Sequence, residues 1–253
     1  MAGREMRPAG WSSSCRHGSA LPLLPLLLLL LTASAQAQQA PSSRTDPVEA
    51  SALNAVFSKL GLQLWPPWFT GDPCVGAAMN ASLDNPEFNP AITCDCTDQN
   101  NTVCHITKLK MYALNLVGTI PEELRNLTHL TDLDLVQNYL TGPLPSFIGE
   151  LTAMEYLSLG INALSGSVPK ELGNLTNLVS LSFSINNLNG SLPSELGNLA
   201  KLEQLYIDSA GLSGPLPSSF TRLTRMKTLW ASDNDFTGQM PDYIGNWFEL
   251  TEL

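Results

Sequence analysis

The sequence has few basic residues and few histidines, and this scarcity argues against several functional classes. Lys and Arg total 13 against 23 Asp and Glu, giving a formal net charge of −10, which argues against a nucleic-acid-binding face. Histidine occurs three times, and there is no HExxH, no GxSxG and no glycine-rich phosphate loop with its lysine. We therefore expect a protein that is not an enzyme and that needs no cofactor.

Long apolar runs are also scarce. Residues 21–31 form a leucine-rich run that two prolines interrupt, and it is shorter than the about 20 residues that a membrane helix requires. Three arginines lie in the first 16 residues, and the small residues 33–35 form a cleavage site. We predict a signal peptide over residues 1–37 rather than a membrane anchor, with cleavage after Ala35 or Ala37. The rest then has no membrane span, and the protein is secreted.

Cysteine is sparse, with five in the sequence, of which Cys74, Cys94, Cys96 and Cys104 follow the predicted signal peptide. Four cysteines can pair in three ways. Cys94 and Cys96 are two residues apart and are not expected to bond to each other, so two pairings stay open, of which we prefer Cys74–Cys94 with Cys96–Cys104. A zinc site is the rival interpretation, but Cys94-Asp-Cys96 lacks the usual two-residue gap between ligands. We predict disulfides and no metal.

What the sequence does contain is a regular repeat. Leucine returns every 24 residues from Leu109 to Leu253, within the range of roughly 20–29 residues that leucine-rich repeats use. The spacing is not a heptad, and Gly and Pro recur in every turn, which excludes a coiled coil. Six complete units occupy residues 109–252, and Leu253 opens a seventh. One unit cannot bury its own apolar side, so we expect the units to stack.

Each class of position in the unit has a physical role. Leu133-Asp-Leu135 alternates with period two and predicts a short strand with both leucines in the core. Asn138 can both donate and accept, so it can satisfy backbone groups at the corner where the strand ends. The Gly permits a tight bend, and the Pro suits the start of a short helix. Leu114 and Ala210 replace the Asn in two units. We expect the corner at Ala210 to have weaker hydrogen bonding, at a cost of about 1 kcal/mol of stability.

The repeat resembles the plant-specific class of leucine-rich repeats, because Gly142-Pro-Leu-Pro145 and Gly166-Ser-Val-Pro169 have equivalents in phase in the later units. That class is found in receptor-like kinases, receptor-like proteins and polygalacturonase inhibitors. The resemblance implies an α/β solenoid: a right-handed leucine-rich-repeat superhelix with a parallel β-sheet on the concave face and an N-terminal, disulfide-stapled cap.

Residues 46–107 are predicted to form this cap, after a polar and disordered linker over residues 38–45. Asp46, Pro47 and Glu49 give a helix start, with Asp at the cap, Pro first and Glu three residues after the cap. Trp65 and Trp68 follow the helix, and we interpret them as cap packing rather than as a ligand site.

Motifs in the cap make the resemblance more specific, to one subfamily of receptor-like kinases. Gly71-Asp-Pro-Cys74, Cys94-Asp-Cys96 and the run from Cys104 to Lys110, together with residues 206–214 and 230–235, resemble the ectodomain of plant receptor-like kinases of leucine-rich-repeat subfamily eight, the malectin-containing type. The resemblance covers residues 46–253. It implies a plasma-membrane receptor with further repeats, a malectin-like domain, a membrane helix and a cytoplasmic Ser/Thr kinase. None of these is in the sequence, so we expect a fragment or a truncated product.

The outward positions of the strands are the candidates for ligand binding, because parallel strands stack these positions into columns on the concave side. The middle column has a basic start, an acidic step, small hydroxyls and an aromatic end, which suits an extended peptide or sugar chain. An ordinary solvated sheet face is the alternative, but Tyr206 and Trp230, if exposed, favour binding. The candidates are Lys108, Lys110, Tyr112, Asp132, Asp134, Tyr156, Ser158, Ser182, Tyr206, Asp208 and Trp230, and Gly160, Ser180, Ser184 and Thr228 are predicted to share the face.

Two further patterns bear on function. Asp132 and Asp134 could suggest a glycosidase, but we interpret them as exposed residues in a solvated row, because nothing nearby indicates the burial that would raise a pKa. Five Asn-x-Ser/Thr sequences are predicted N-glycosylation sites, which agrees with secretion. These sites are Asn80, Asn100, Asn126, Asn174 and Asn189.

The predicted function is therefore that of an extracellular recognition module of a cell-surface receptor. Its predicted partner is a peptide, a cell-wall polysaccharide or a co-receptor protein, and not a nucleic acid. The alternative is a secreted inhibitor of a cell-wall enzyme, similar to the polygalacturonase inhibitors that share this repeat type. The subfamily-eight motifs of the cap argue against that alternative.

Overall fold

The computed structural model describes residues 44–62, 71–75, 89–98 and 102–253, which lie in one compact unit. The predicted signal peptide, residues 38–43, both cap tryptophans and the sites at Asn80 and Asn100 lie outside the described residues. Within them, no helix is long and apolar enough to cross a membrane.

The cap consists of one helix and the edge of a sheet. Strand β1 (Arg44–Thr45) precedes helix α1 (Pro47–Lys59), and strands β2 (Ala91–Asp98) and β3 (Val103–Lys110) follow. Asp46 caps α1 as predicted, since its carboxylate accepts from the backbone N–H groups of Val48 and Glu49. Strand β3 pairs in parallel with β1 and antiparallel with β2, which joins the cap to the repeats.

The structure corrects the predicted linker at its end. Arg44 and Thr45, assigned to a disordered segment, form β1, and Thr45 is buried. The Thr45 N–H lies 3.1 Å from each carboxylate oxygen of Asp72, and the Arg44 N–H donates to the Thr102 carbonyl. These bonds order two polar residues that have no apolar side chain to bury, because the backbone N–H groups of both find partners in the cap.

Two disulfides close the cap, joining Cys74 to Cys94 and Cys96 to Cys104. This is the pairing that the sequence analysis preferred of the two left open. Cys74 and Cys104 are fully buried, and the first bond ties the segment after α1 to β2 while the second ties β2 to β3. A disulfide reduces the conformational entropy of the unfolded chain, and this stabilises a cap that has only a small apolar core of its own.

The fold is a leucine-rich-repeat solenoid, as predicted. Beyond β3 the main sheet continues in parallel through β5, β7, β9, β11 and β13, one strand from each repeat. The leucines 24 residues apart from Leu109 to Leu229 are direct neighbours across the strands, and each of them is 1% exposed or less. The strand bounds are Asp132–Asp134, Tyr156–Ser158, Ser180–Ser182, Gln204–Tyr206 and Thr228–Trp230.

Shorter strands and one-turn helices close the other side of each repeat. One small sheet contains β4, β6, β8 and β10, and another contains β12 and β14. Their bounds are Val117–Gly118, Tyr139–Pro143, Ala163–Ser167, Asn187–Asn189, Ser213–Gly214 and Asp235–Phe236. A 3-10 helix then follows directly after the repeat's proline, which is the predicted role of that residue. These helices span Glu122–Asn126, Ser146–Glu150, Lys170–Asn174, Ser194–Asn198, Ser218–Arg222 and Asp242–Asn246.

A row of asparagine side chains bonds successive turns at the corner after each main-sheet strand. The Oδ1 of Asn186 accepts from the Leu164 N–H of the preceding turn at 3.0 Å. Its Nδ2 faces the carbonyls of Leu159 in that turn and of Phe183 and Ser184 in its own, at 3.0–3.2 Å. Each amide thus satisfies backbone groups at the corner, as the sequence predicted, and the structure shows that these groups belong to two successive turns. The equivalent residues are Asn138, Asn162 and Asn234.

At Ala210, where bonding was expected to be weaker, the backbone compensates for part of the missing amide. The Leu188 N–H, which an amide would otherwise serve, donates to the Ala210 carbonyl at 2.9 Å, and the Ala210 N–H donates to Asn234 Oδ1 at 3.2 Å. The chain approaches closely enough for this because residue 211 is glycine, whose φ is +81° and whose missing Cβ would lie 2.4 Å from the Leu188 carbonyl oxygen. The backbone carbonyl of Ala210 therefore takes over the accepting role of the amide oxygen.

A second glycine position controls how closely the 3-10 helices stack. A Cβ on Gly173 would lie 2.4 Å from the Glu195 carbonyl oxygen of the next turn, and Gly149 and Gly197 are equally crowded. None of these three has a positive φ, so close packing rather than backbone conformation requires glycine there. Gly245 holds the same position in the last turn and has no atom within 4 Å.

We expect Gly173→Ala to lower the free energy of unfolding by about 2 kcal/mol, because the added methyl must push two backbone segments apart. Equilibrium denaturation would measure this loss. Gly245→Ala is the matched control and should change stability by less than about 0.5 kcal/mol. Equal losses for both variants would contradict the packing argument.

We expect Asn186→Ala to cost about 3 kcal/mol, because it leaves a buried N–H and several carbonyls without partners. The corner cannot adapt as it does at Ala210, since Asn187 follows instead of glycine. Asn187 is exposed, and Asn187→Ala should be nearly neutral in the same denaturation experiment. A loss below about 1 kcal/mol for Asn186→Ala would mean that the amide row is not a main source of stability.

Candidate ligand-binding face

The outward side chains of the main-sheet strands form what we call the strand face. Strand register places Lys110, Asp134, Ser158, Ser182, Tyr206 and Trp230 in one column, each directly beside the next. A second column holds Lys108, Asp132, Tyr156, Ser180, Gln204 and Thr228. The sequence pattern predicted these columns, and strands that pair without a shift in register produce them.

The cap end of the strand face carries two lysines and two aspartates. Lys108 Nζ lies 3.9 Å from Asp132 Oδ2, and the backbone N–H of Val136 donates to Asp134 Oδ1 at 2.9 Å. Burial raises the pKa of both Asp132 and Asp134 above the usual range, although the lysines and the Val136 bond oppose that rise. These carboxyl groups are half-buried. The expectation of fully exposed, unperturbed carboxylates is therefore wrong, because adjacent turns shield them from water.

The middle of the strand face carries small side chains. Ser158 and Ser182 are half-buried, whereas Gly160, Ser180, Ser184 and Thr228, which were expected to face outward, are buried. The small residues lie close to their neighbours in the next strand: a Cβ on Gly160 would be 3.2 Å from Ser182 Oγ. This part of the face offers hydroxyl groups but few projecting side chains.

The far end of the strand face carries an aromatic pair. The rings of Tyr206 and Trp230 meet edge to face, with centroids 5.1 Å apart and planes at 85°. Trp230 is 49% exposed, but Tyr206 is half-buried rather than exposed as expected, because the indole covers it. Asp208 lies beside this pair and accepts from the Ser184 hydroxyl at 2.5 Å. A partly exposed, mutually supported aromatic pair is a rigid apolar contact surface.

Two more tyrosines lie toward the cap. Tyr112 is 40% exposed, its hydroxyl donates to Gln137 Oε1 at 2.6 Å, and Lys110 Nζ lies 5.9 Å from its ring centroid. Tyr156 is 39% exposed and lies beside Asp132 in the second column, which begins at Lys108. Sequence reasoning missed Gln137, which lies in the loop after β5 with a φ of +60° and orients Tyr112. Its repeat position alone gave no signal of this role.

Three predicted glycosylation sites lie among the described residues, at Asn126, Asn174 and Asn189. All three side chains are exposed. Asn126 and Asn174 end equivalent 3-10 helices, and Asn189 ends β10, so none of them lies on the strand face. Glycosylation itself remains a prediction.

Known proteins share both the repeat and the fold. Residues 129–151 and 177–199 match the Leucine Rich Repeat family. A probable leucine-rich-repeat receptor-like serine/threonine-protein kinase of Arabidopsis thaliana is 48% identical over 96 residues. The chain is a leucine-rich-repeat solenoid similar to plant receptor-kinase ectodomains. The match covers 37% of this chain and only 9% of that relative, so the chain spans a small part of the curated protein.

Two solved structures from Arabidopsis thaliana extend this similarity to the fold. The ectodomain of the membrane receptor kinase GASSHO1/SCHENGEN3, solved with CASPARIAN STRIP INTEGRITY FACTOR 2, has a TM-score of 0.67 at 32% identity, covering 81% of this chain and 23% of that one. The HAESA ectodomain, solved with an extended IDA peptide hormone ligand, has a TM-score of 0.67 at 30% identity, covering 81% and 32%.

The two half-buried aspartates give a pH-dependent prediction. Because burial raises their pKa, the folded state binds these protons more tightly than the unfolded state, and the resulting stability is lost as pH rises from about 4 through the raised values. The double variant Asp132→Asn, Asp134→Asn should therefore be more stable than the wild type at neutral pH, with the difference fading toward pH 3.

Thermal unfolding measured across this pH range would test the expectation. Asp233→Asn, Asp235→Asn is the matched control, since it removes two aspartates spaced alike but exposed. If the double variant were less stable than the wild type at pH 7, the attraction of the lysines for the two carboxylates would exceed the cost of burying their charges, contrary to the expectation.

Proposed function

We propose that this chain is an extracellular recognition module that binds an extended peptide along the strand face. The observation that carries the proposal is the aligned middle column, which runs from a charged end at Lys110 and Asp134 to an aromatic end at Tyr206 and Trp230. A column of unlike side chains at successive strands can distinguish successive residues of an extended ligand. The half-exposed indole of Trp230 gives such a ligand an apolar anchor.

Peptide is favoured over polysaccharide because of the similar proteins. GASSHO1/SCHENGEN3 and HAESA, both similar in fold to this chain, were solved with CASPARIAN STRIP INTEGRITY FACTOR 2 and with an IDA peptide hormone, respectively. The named relatives are receptor kinases, which favours a receptor module over an inhibitor of a cell-wall enzyme. A polysaccharide or a co-receptor protein stays the alternative partner, and a test with both peptides and sugars separates them.

Secretion to the cell surface is part of the proposal. The two disulfides suit an oxidising compartment, and the exposed Asn126, Asn174 and Asn189 are accessible to glycosylation. Membership of subfamily eight, with its malectin-like domain and kinase, is likewise proposed, on the cap motifs around Cys74, Cys94 and Cys104. Any kinase activity would then belong to a longer protein and not to these residues.

The experiment screens a displayed peptide library and an array of cell-wall oligosaccharides against the purified chain, and then measures affinities of the selected ligands by calorimetry. We expect peptides to be selected, and we expect Trp230→Ala to weaken their binding roughly 30-fold without lowering the melting temperature, as loss of an aromatic hot spot does.

Tyr139→Ala is the matched control, because Tyr139 is 62% exposed but lies on β6, outside the strand face. It should leave the affinity unchanged. Selection of oligosaccharides alone would replace peptide by polysaccharide, and equal effects of the two variants would place the binding site elsewhere.

A further inference from the structure

Three side chains far apart in sequence meet where the cap joins the first repeat. They are Glu49 in the first turn of α1, His105 in β3 and His129 in the loop before β5. One ligand atom from each lies within 4.8 Å of the others. The sequence alone predicts no metal, and it assigns Glu49 to the start of α1 as the residue three positions after the Asp46 cap.

The carboxylate of Glu49 is oriented from two sides. Its Oε2 accepts from the backbone N–H of Ile106 at 2.6 Å. Its Oε1 faces Nδ1 of His105 at 2.9 Å and Nδ1 of His129 at 3.0 Å. Two imidazole nitrogens thus converge on one carboxylate oxygen while the other oxygen is held by the backbone. Such a fixed second contact is typical of carboxylates that bind metal ions.

The imidazole rings are themselves held in position. Their centroids are 3.7 Å apart and their planes differ by 28°, so the rings stack with both Nδ1 atoms on the same side. The Thr128 hydroxyl lies 3.5 Å from His129 Nδ1. The side chain of Glu49 is 4% exposed, that of His105 15% and that of His129 47%. The His129 side therefore gives an ion a path from solvent, and it leaves room for a water ligand.

We propose that Glu49, His105 and His129 bind one divalent transition-metal ion of the Zn²⁺ class. Two imidazole nitrogens and one carboxylate oxygen are a ligand set that zinc uses, with water in the fourth position. Hard cations such as Ca²⁺ and Mg²⁺ prefer sites made of oxygen atoms, so they fit this cluster poorly. To place an ion about 2.1 Å from each ligand atom, the N···O separations of 2.9 and 3.0 Å must open slightly, and the stacked rings must turn so that each Nδ1 lone pair points at the ion.

The bound ion would connect α1, β3 and the loop before β5 through one centre. It would hold α1 against β3 and both against the loop of the first repeat. An ion that binds the folded state and not the unfolded chain stabilises the fold by an amount that grows with the logarithm of its concentration relative to its Kd. The site is distant from the aromatic end of the strand face, so this role does not depend on ligand binding there.

The test titrates the purified chain, carrying a tag without histidine, with Zn²⁺ by calorimetry and with Co²⁺ by visible absorption. We expect one ion per chain and a melting temperature about 5 °C higher in Zn²⁺ than in EDTA. His129→Gln removes one ligand at a half-exposed position and should weaken binding at least about tenfold while leaving the fold in EDTA intact. Glu49→Gln should also weaken binding.

Asn177→Gln is the matched control, since Asn177 occupies the position of His129 two repeats later. It should bind Zn²⁺ as the wild type does. Absence of binding at millimolar Zn²⁺, or binding that neither His129→Gln nor Glu49→Gln weakens, would overturn the proposal. In that case the three side chains would serve only as a hydrogen-bonded clamp. A Glu49→Gln variant that fails to fold would leave His129→Gln to decide.

Discussion

The structure depends on bonding the backbone where each main-sheet strand ends inside the solenoid. At that corner one N–H and several carbonyls point away from water, and an unpaired buried group costs about 1–3 kcal/mol. The asparagine amide offers a donor and an acceptor in one side chain, which matches this need. Because its partners belong to two successive turns, as the contacts of Asn186 show, the same amide fixes the shape of a turn and its spacing from the next. The unbroken alignment of the leucines follows from that shared bonding.

Because the leucines form the core and the asparagines bond the corners, the outward strand positions are free to vary. Leu109 and its equivalents are buried in every turn, whereas the neighbouring outward column changes from lysine through aspartate and serine to tyrosine and tryptophan. A side chain on a paired strand loses little further backbone freedom when a ligand binds, so recognition on such a scaffold costs less entropy than on a loop. The freedom is not complete, since the burial of Ser180 and Thr228 shows that adjacent turns also restrict these positions.

The periodic part of the structure could be predicted from the sequence, and the exceptions could not. Spacing alone gives the leucine core, the asparagine row and the two columns, because each depends on position within a repeat. Glu49 was assigned to its own helix terminus by a local rule, but its partners lie 56 and 80 residues away. The burial of Asp132 and Asp134 likewise depends on neighbouring turns. At Ala210 the compensation rests on the glycine that follows, and only the backbone path reveals it. In each case the partners or the burial of a residue depend on a contact between turns, which a pattern within one repeat does not reveal.

The need for contacts between turns also explains why the cap bonds the first repeat through several different kinds of interaction. The stability of a solenoid is roughly a sum over neighbouring units, and the first repeat has Leu114 where four of the other five complete repeats have asparagine. The cap bonds it by other means: the Val117 N–H donates to the Leu60 carbonyl, Lys59 pairs with Glu123 at 2.6 Å, and Glu49 faces His129. The first two are single contacts near the surface, and exposed ion pairs contribute little. The buried carboxylate of Glu49 is different, because its loss of solvation must be offset by the groups that surround it. Whether imidazoles alone or an ion between them provide that offset, the junction of cap and repeat depends on these three side chains remaining together.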